Sequence, residues 1–164
     1  MTIIDELREI GLATRLQRLS DAMRKDVTQI YKEHHLDFES KWFPVLYVMI
    51  KKSPISVVEL ANEIGFAHPS IIALVKEMEK KKLIKSVESK TDGRKRMLSL
   101  TPKAIRMTDQ LQFLWDDIKK AAKIFSDSPH QLLKAIEETE KILRKESFYT
   151  RIKKIQAKRK KLYK

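Results

Sequence analysis

The side chains of this chain that could do chemistry are cations and small hydrogen-bonding groups, gathered in three places. Ser70, Lys76 and Lys80 fall on the side of one helix that is left over when Ile71, Leu74, Val75 and Met78 turn inward. Lys90, Arg94, Lys95 and Arg96 crowd around Asp92 a few residues later. Residues 151–164 add 8 basic side chains and no acid. Ammonium and guanidinium groups neutralise phosphates, and a helix hydroxyl can donate to or accept from a base edge. This is binding chemistry rather than bond-breaking chemistry.

The patterns that would argue for catalysis are missing. With 0 cysteines there is no thiolate nucleophile, disulfide framework or cysteine-type zinc site. No nucleophile elbow, phosphate loop, dinucleotide-binding glycine pattern or HExxH occurs, so no enzyme activity and no cofactor are expected. His34 and His35, with Asp37 and Glu39 nearby, offer ligand types that zinc accepts. Adjacent histidines do not match a helical ligand pair, and His68 and His130 stand alone, so no metal is expected.

Charge placement sharpens the binding reading. The 164 residues carry 35 Lys and Arg against 22 Asp and Glu, a net +13. Residues 1–40 have net −2, 41–101 net +6, 102–150 net +1 and 151–164 net +8. Clustering of this kind is the footprint of a polyanion binder, although a membrane surface or simple solubility would also suit the tail. The longest apolar stretch, Trp42 to Ile50, is too short to span a bilayer. Residues 1–20 contain Asp5, Glu6 and Glu9 and have no signal-peptide core, so a cytoplasmic protein without a membrane partner is expected.

The elements that must position these groups are mostly helices. Leu12, Leu16, Leu19, Met23, Val27 and Ile30 follow helical steps, and with Ile3, Leu7 and Ile10 they predict one long helix over about 3–34, with Gly11 its weak point. Trp42 to Ile50 predicts a buried helix with Pro44 in its first turn. Ser56 and Glu59 form a capping box that opens a short helix with Leu60, Ala61 and Ile64 inward, and Gly65 closes it. Pro69 stands in the first turn of the next helix, about Ala67 to Lys82. Two alternating runs, Ile84 to Glu88 and Arg96 to Leu100, flank Asp92-Gly93 and predict a hairpin. Helix, turn, helix and hairpin make a winged helix-turn-helix. Thr101-Pro102 opens a second long helix through Phe125, and Ser128-Pro129-His130-Gln131 reads as a capping box that opens a helix through Leu143.

Three blocks of this sequence resemble the MarR family of bacterial transcriptional regulators. They are Ile64 to Ile72, Met78 to Ile84, and the run Asp92-Gly93-Arg94-Lys95-Arg96-Met97-Leu98-Ser99-Leu100-Thr101-Pro102. The Asp-x-Arg followed by Leu-Thr is the most diagnostic of them. Trp42 to Val45, Trp115 to Ile118 and Ser147 to Tyr149 resemble more closely a subgroup often fused to a GNAT-type acetyltransferase, a domain for which this chain has no room. Two positions depart from the pattern. Lys82 stands where the family usually has glycine, which would remodel the cap after the recognition helix. Ile72 stands where a Ser or Thr commonly faces DNA.

The resemblance implies a mainly α protein with a small β-wing, a winged helix-turn-helix flanked by long dimerisation helices. Residues 1–38 would form an N-terminal dimerisation helix, 39–102 the DNA-binding lobe, 103–147 the C-terminal dimerisation helices and 148–164 a basic tail. The expected partners are double-stranded DNA, a second copy of the chain, and a small aromatic effector. The DNA-facing set is Ser56, His68, Pro69, Ser70, Ile72, Ala73 and Lys76 from the helix-turn-helix, with Lys90, Asp92, Arg94, Lys95 and Arg96 from the wing. The resemblance sends Arg94 into the minor groove and has Asp92 pair with an arginine to hold the wing's shape. Trp42, Phe43, Tyr47, Phe113 and Trp115 would line an effector cleft, although apolar residues at helical spacing are more often plain core. Phe148, Ile152, Ile155 and Leu162 give the basic tail an apolar stripe, so part of it reads as an amphipathic helix and the alternative is a disordered, solubilising end. Two other functions fit the same features: a sequence-tolerant architectural nucleic-acid binder, and a winged-helix protein-interaction module.

Overall fold

The computed structural model describes residues 2–88 and 96–162. Its elements run α1 (Ile3–Glu6), α2 (Leu12–Glu33), a 3-10 turn (Ser40–Trp42), α3 (Phe43–Lys52), β1 (Ile55–Ser56), α4 (Val57–Ile64), α5 (His68–Lys80), β2 (Ile84–Glu88), β3 (Arg96–Leu100), α6 (Pro102–Ser126), α7 (Leu132–Lys145) and α8 (Phe148–Leu162). They form a mainly helical fold with a three-stranded antiparallel sheet in the order β1-β3-β2, as a winged helix requires. The chain divides into two compact units, Met1–Phe113 and Leu114–Lys164, with the boundary inside α6. Among the described residues, no helix is long and apolar enough to cross a membrane.

In the first unit the single long helix expected over about 3–34 is two helices. Residues 7–11 break it, and Gly11 shows why: a β-carbon there would stand 2.7 Å from the Ile4 carbonyl oxygen. The chain passes too close to its own first turn for any side chain. Arg8 turns left-handed at φ 47°. Asp5 then reaches Arg18 Nη2 at 2.5 Å and Arg15 Nε at 3.8 Å, fastening α1 to the side of α2.

The core of this unit is built from Tyr31, Phe38, Trp42, Leu46, Met49, Leu60, Ile71, Met78, Leu83, Leu98 and Leu111, all buried. Tyr31, Phe38 and Trp42 meet edge to face with centroids 5.4 and 5.7 Å apart, the arrangement that ring quadrupoles favour. Each such side chain contributes about 1.5–3 kcal/mol by leaving water. The hairpin pairs Ile84 with Leu100 and Ser86 with Leu98, so the period-2 alternation buries Ile84 and Leu98 and exposes Lys85 and Val87. β1, only two residues long and absent from the sequence reading, pairs Ile55 with Leu98 on the other edge.

In the second unit α7 has no buried residue, and Leu133, Ile136, Ile142 and Leu143 are exposed on it. The capping box expected at Ser128 does not form. Residues 128–130 are a turn, Gln131 Nα donates to the Ser128 carbonyl at 2.8 Å, and α7 begins one residue later from a left-handed Gln131 (φ 44°) without a side-chain cap. A left-handed Gln131 cannot be the third residue of a helix opened by Ser128, and the bend takes up Pro129 instead. α8 is a helix over most of the expected basic tail.

Candidate nucleic-acid interface

The interface candidate is built outward from α4, the turn after it, and α5. Ser56 starts α4 as expected: its hydroxyl accepts from the Glu59 amide at 3.3 Å, and the Ser56 amide donates to Glu59 Oε2 at 2.9 Å. The hydroxyl also donates to Glu59 Oε2 at 2.7 Å, so this member of the DNA-facing set is occupied within its own cap. Gly65 closes α4 at φ 76°, a left-handed value that glycine takes without strain. An extended Ala67 then leads into α5, with Pro69 in the first turn. No side chain caps this helix start; Pro69 has no amide to satisfy, and the Ser70 and Ile71 amides donate to the Ala67 carbonyl at 2.9 and 3.3 Å.

α5 buries Ile71, Val75 and Met78 and exposes His68, Pro69, Ser70, Ala73, Lys76 and Lys80. Leu74, expected inside, is half-buried. Ile72, expected on the open face, is also half-buried, because it sits beside the buried Ile71 at the edge of the packed stripe. Apart from Ile72, the helix therefore brings its sequence-derived contact residues together on one exposed face.

The far end of α5 is held by two devices. The first is its cap. Leu83 Nα donates to the Met78 carbonyl and Lys82 Nα to the Glu79 carbonyl, each at 2.9 Å, which is the Schellman pattern. Lys82 itself supplies the left-handed residue, at φ 58°. The cap that the missing glycine was expected to remodel is thus kept in its usual form. Thr101 Oγ1 donates to the Lys82 carbonyl at 2.7 Å, and Lys103 Nζ to the Lys81 carbonyl at 2.9 Å, joining the cap to the start of α6. This is what the Leu-Thr-Pro run after the wing does.

The second device was not visible in the sequence. Glu77 accepts from Trp42 Nε1 at 3.0 Å and pairs with Lys41 Nζ at 2.7 Å, while Lys41 also meets Glu39 at 3.1 Å. The Lys41 hydrogen bond, then that of Trp42, hold the Glu77 carboxyl below its ordinary value, and Glu77 in turn raises Lys41. Nearby, Lys81 pairs with Asp37 at 2.8 Å.

Lys90, Asp92, Arg94 and Lys95 lie outside the described residues; Arg96, at the base of the wing, is exposed. Of the aromatic set, Trp42 is 1 % exposed and belongs to the core, whereas Phe43 and Tyr47 stack at a tilt with centroids 5.5 Å apart. Tyr47 is 46 % and Phe113 79 % exposed, and Trp115, in the second unit, is buried. His34 and His35 form the end of α2, with His35 left-handed at φ 54°. Among the described residues no group of three metal-binding side chains occurs.

Residues 36–95, from the end of α2 into the wing, match the MarR family model. None of the curated protein sequences matches the chain. Several solved structures share its fold. A mutant MarR from E. coli complexed with operator DNA is 14 % identical with a TM-score of 0.66, covering 87 % of this chain and 99 % of that one. The MepR–DNA complex of S. aureus is 17 % identical with a TM-score of 0.65, covering 81 % and 96 %. The PcaV transcriptional regulator of Streptomyces coelicolor, in complex with its natural ligand, is 16 % identical with a TM-score of 0.65, covering 84 % and 92 %.

Proposed function

We propose that this chain is a DNA-binding transcriptional regulator of the MarR type, acting as a homodimer on a pseudo-palindromic operator. The observation that carries the reading is α5. Its inner face is locked into the core and its far end is tied down by the Lys82 cap and by Glu77, while His68, Pro69, Ser70, Ala73 and Lys76 face outward from its first turns. A rigid helix presenting small, hydroxyl and cationic groups at its N-terminal end is suited to the major groove. Ser70 would meet a base edge, Ala73 a thymine methyl, and Lys76 a base or a phosphate. Arg94 would enter the minor groove from the wing, where a narrow groove attracts a guanidinium. Two relatives in fold are complexed with DNA, and the family match covers the whole helix-turn-helix.

The dimer reading rests on apolar surface that one chain leaves open. Leu12, Leu16, Leu19 and Met23 line α2, and Ile136 and Leu143 line α7, all exposed in the single chain. Apolar stripes of this length mark interaction surfaces. Two copies would also supply the paired recognition helices that half-sites one helical turn apart demand. The exposed Tyr47 and Phe113 suit a small aromatic effector, the ligand class expected from the sequence.

Selection of binding sites from random duplexes with the purified protein tests the function. A defined palindrome is the expected result. Enrichment without a shared sequence would point to a sequence-tolerant binder, and no duplex binding at physiological salt to a protein-interaction module; either would overturn the regulator reading.

A further inference from the structure

Resting on the DNA-binding reading, we infer that α8 is a second, sequence-blind contact to the phosphates of the duplex, separate from the helix-turn-helix. From Arg151 to Lys160 the helix carries Arg151, Lys153, Lys154, Lys158, Arg159 and Lys160 and no acid. These cations divide into two groups by what they touch.

Arg151 and Lys154 anchor the helix. Arg151 Nη2 donates to the Ile142 carbonyl and Nε to the Glu146 carbonyl, each at 3.3 Å, so the guanidinium binds the backbone at the end of α7. Glu146 completes the joint by pairing with Lys154 and, at 3.8 Å, with Arg151. The Lys154 hydrogen bond holds the Glu146 carboxyl below its ordinary value. Ser147 adds an N-cap: its hydroxyl accepts from the Thr150 amide at 3.2 Å. The start of α8 is thus bound to α7.

The remaining cations have no such work. Lys153 lies 5.6 Å from the Tyr149 ring centroid and is otherwise open. Lys158, Arg159 and Lys160 are exposed and, among the described residues, meet no carboxylate. Being consecutive, they project about 100° apart and fan over roughly 200° of the helix circumference. That geometry decides the partner. A helix lying in a bilayer needs an apolar face, and Phe148, Tyr149, Ile152 and Ile155 provide one only in the first half of α8. The second half presents cations over more than half of its circumference, which suits an extended row of phosphates. At about 1.5 Å per residue the 15-residue helix is roughly 22 Å long, enough to reach several of them. Phosphate contacts position a protein without reading sequence.

The test compares the full-length protein with the variant Lys158→Gln, Arg159→Gln, Lys160→Gln on a selected operator and on a random duplex over a range of salt. The expected result is a similar fold-loss of affinity on both duplexes, with the salt slope flattened by at least about one unit, since each phosphate contact contributes about 0.9. The charge-preserving variant Lys158→Arg, Arg159→Lys, Lys160→Arg should retain the wild-type slope. If the wild type binds the operator and the glutamine variant keeps the same slope, α8 does not touch DNA although the regulator reading stands. Loss of binding to vesicles containing anionic lipid, with DNA binding unchanged, would assign the cations to a membrane instead and overturn the inference. A wild type that binds no duplex would overturn both readings together.

Discussion

Trp42 and Glu77, 35 residues apart in sequence, meet through an indole N–H that donates to the carboxylate at 3.0 Å. The contact ties the C-terminal half of α5 to the 3-10 turn before α3. Because Trp42 is buried while Glu77 lies at the edge of the core, the bond fixes a long, partly exposed helix to a rigid wall. It makes the orientation of α5 depend on residues outside its exposed face.

The two partners of Glu77 should therefore differ in weight. Trp42→Phe removes the donor and leaves a void, costing about 2–3 kcal/mol by urea denaturation. Lys41→Met removes an ion pair whose side chains are 38 % and 42 % exposed, and should cost under about 1 kcal/mol. Equal costs would show that the indole bond is not the principal tie.

Lys82 holds a left-handed conformation at φ 58° that L-residues pay about 1–2 kcal/mol to adopt. Glycine relieves that strain but gains freedom in the unfolded chain, which offsets part of it. Lys82→Gly should raise stability by about 0.5–1 kcal/mol, and Lys82→Val should lower it, because a β-branched side chain fits this region least. A thermal melt showing Gly below wild type would mean that the lysine side chain supplies a contact outweighing its strain.

Operator affinity and stability should separate at the open face of α5 and on the wing. Lys76→Ala and Arg94→Ala should each weaken operator binding by about 1–3 kcal/mol while leaving the thermal midpoint nearly unchanged. Loss of Lys76 should reduce the salt dependence as well. Normal operator affinity in a folded Arg94→Ala protein would remove the minor-groove contact from the proposal.

Acid should loosen the joint between α7 and α8. The Glu146 carboxyl is held below the ordinary glutamate value of 4.5, first by the Lys154 hydrogen bond. A depressed carboxylate stabilises the folded form fully above that ordinary value and progressively less as pH falls through the folded one. Wild type should melt above Glu146→Gln at pH 7, and the gap should close as pH falls below the ordinary glutamate value and on through the depressed one, where the carboxyl becomes neutral like the amide. A gap independent of pH would mean that shape rather than charge holds the joint.

Assembly has its own test. Leu16 and Leu19 lie exposed on α2 of the single chain, and the 19.3 kDa protein should sediment near twice that mass at micromolar concentration. Leu16→Lys with Leu19→Lys should yield monomers with much weaker operator binding. A wild type that sediments as a well-folded monomer would remove the dimer and the paired half-sites with it.

Much of this architecture is written in short stretches of sequence. The Ser56–Glu59 box, Gly65 and Pro69 each act within one helical turn, so helix starts and stops around the candidate interface were legible from neighbouring residues alone. The alternating runs either side of Asp92-Gly93 announced the two hairpin strands in the same way. The exposed face of α5 followed from its period. What tertiary structure decided are the contacts between distant residues, which leave no local mark. Only glycine fits at position 11, between the first two helices, because the Ile4 carbonyl oxygen stands 2.7 Å from where a β-carbon would be. β1 exists only because Ile55 finds Leu98. Lys82 can turn left-handed because backbone bonds to Met78 and Glu79, and the Thr101 hydroxyl, together hold it there. Trp42, placed in an effector cleft by the resemblance, becomes core by its neighbours Phe38 and Glu77. Periodicity says which side of an element is apolar; only packing says what covers it, because burial is a property of the surfaces that meet.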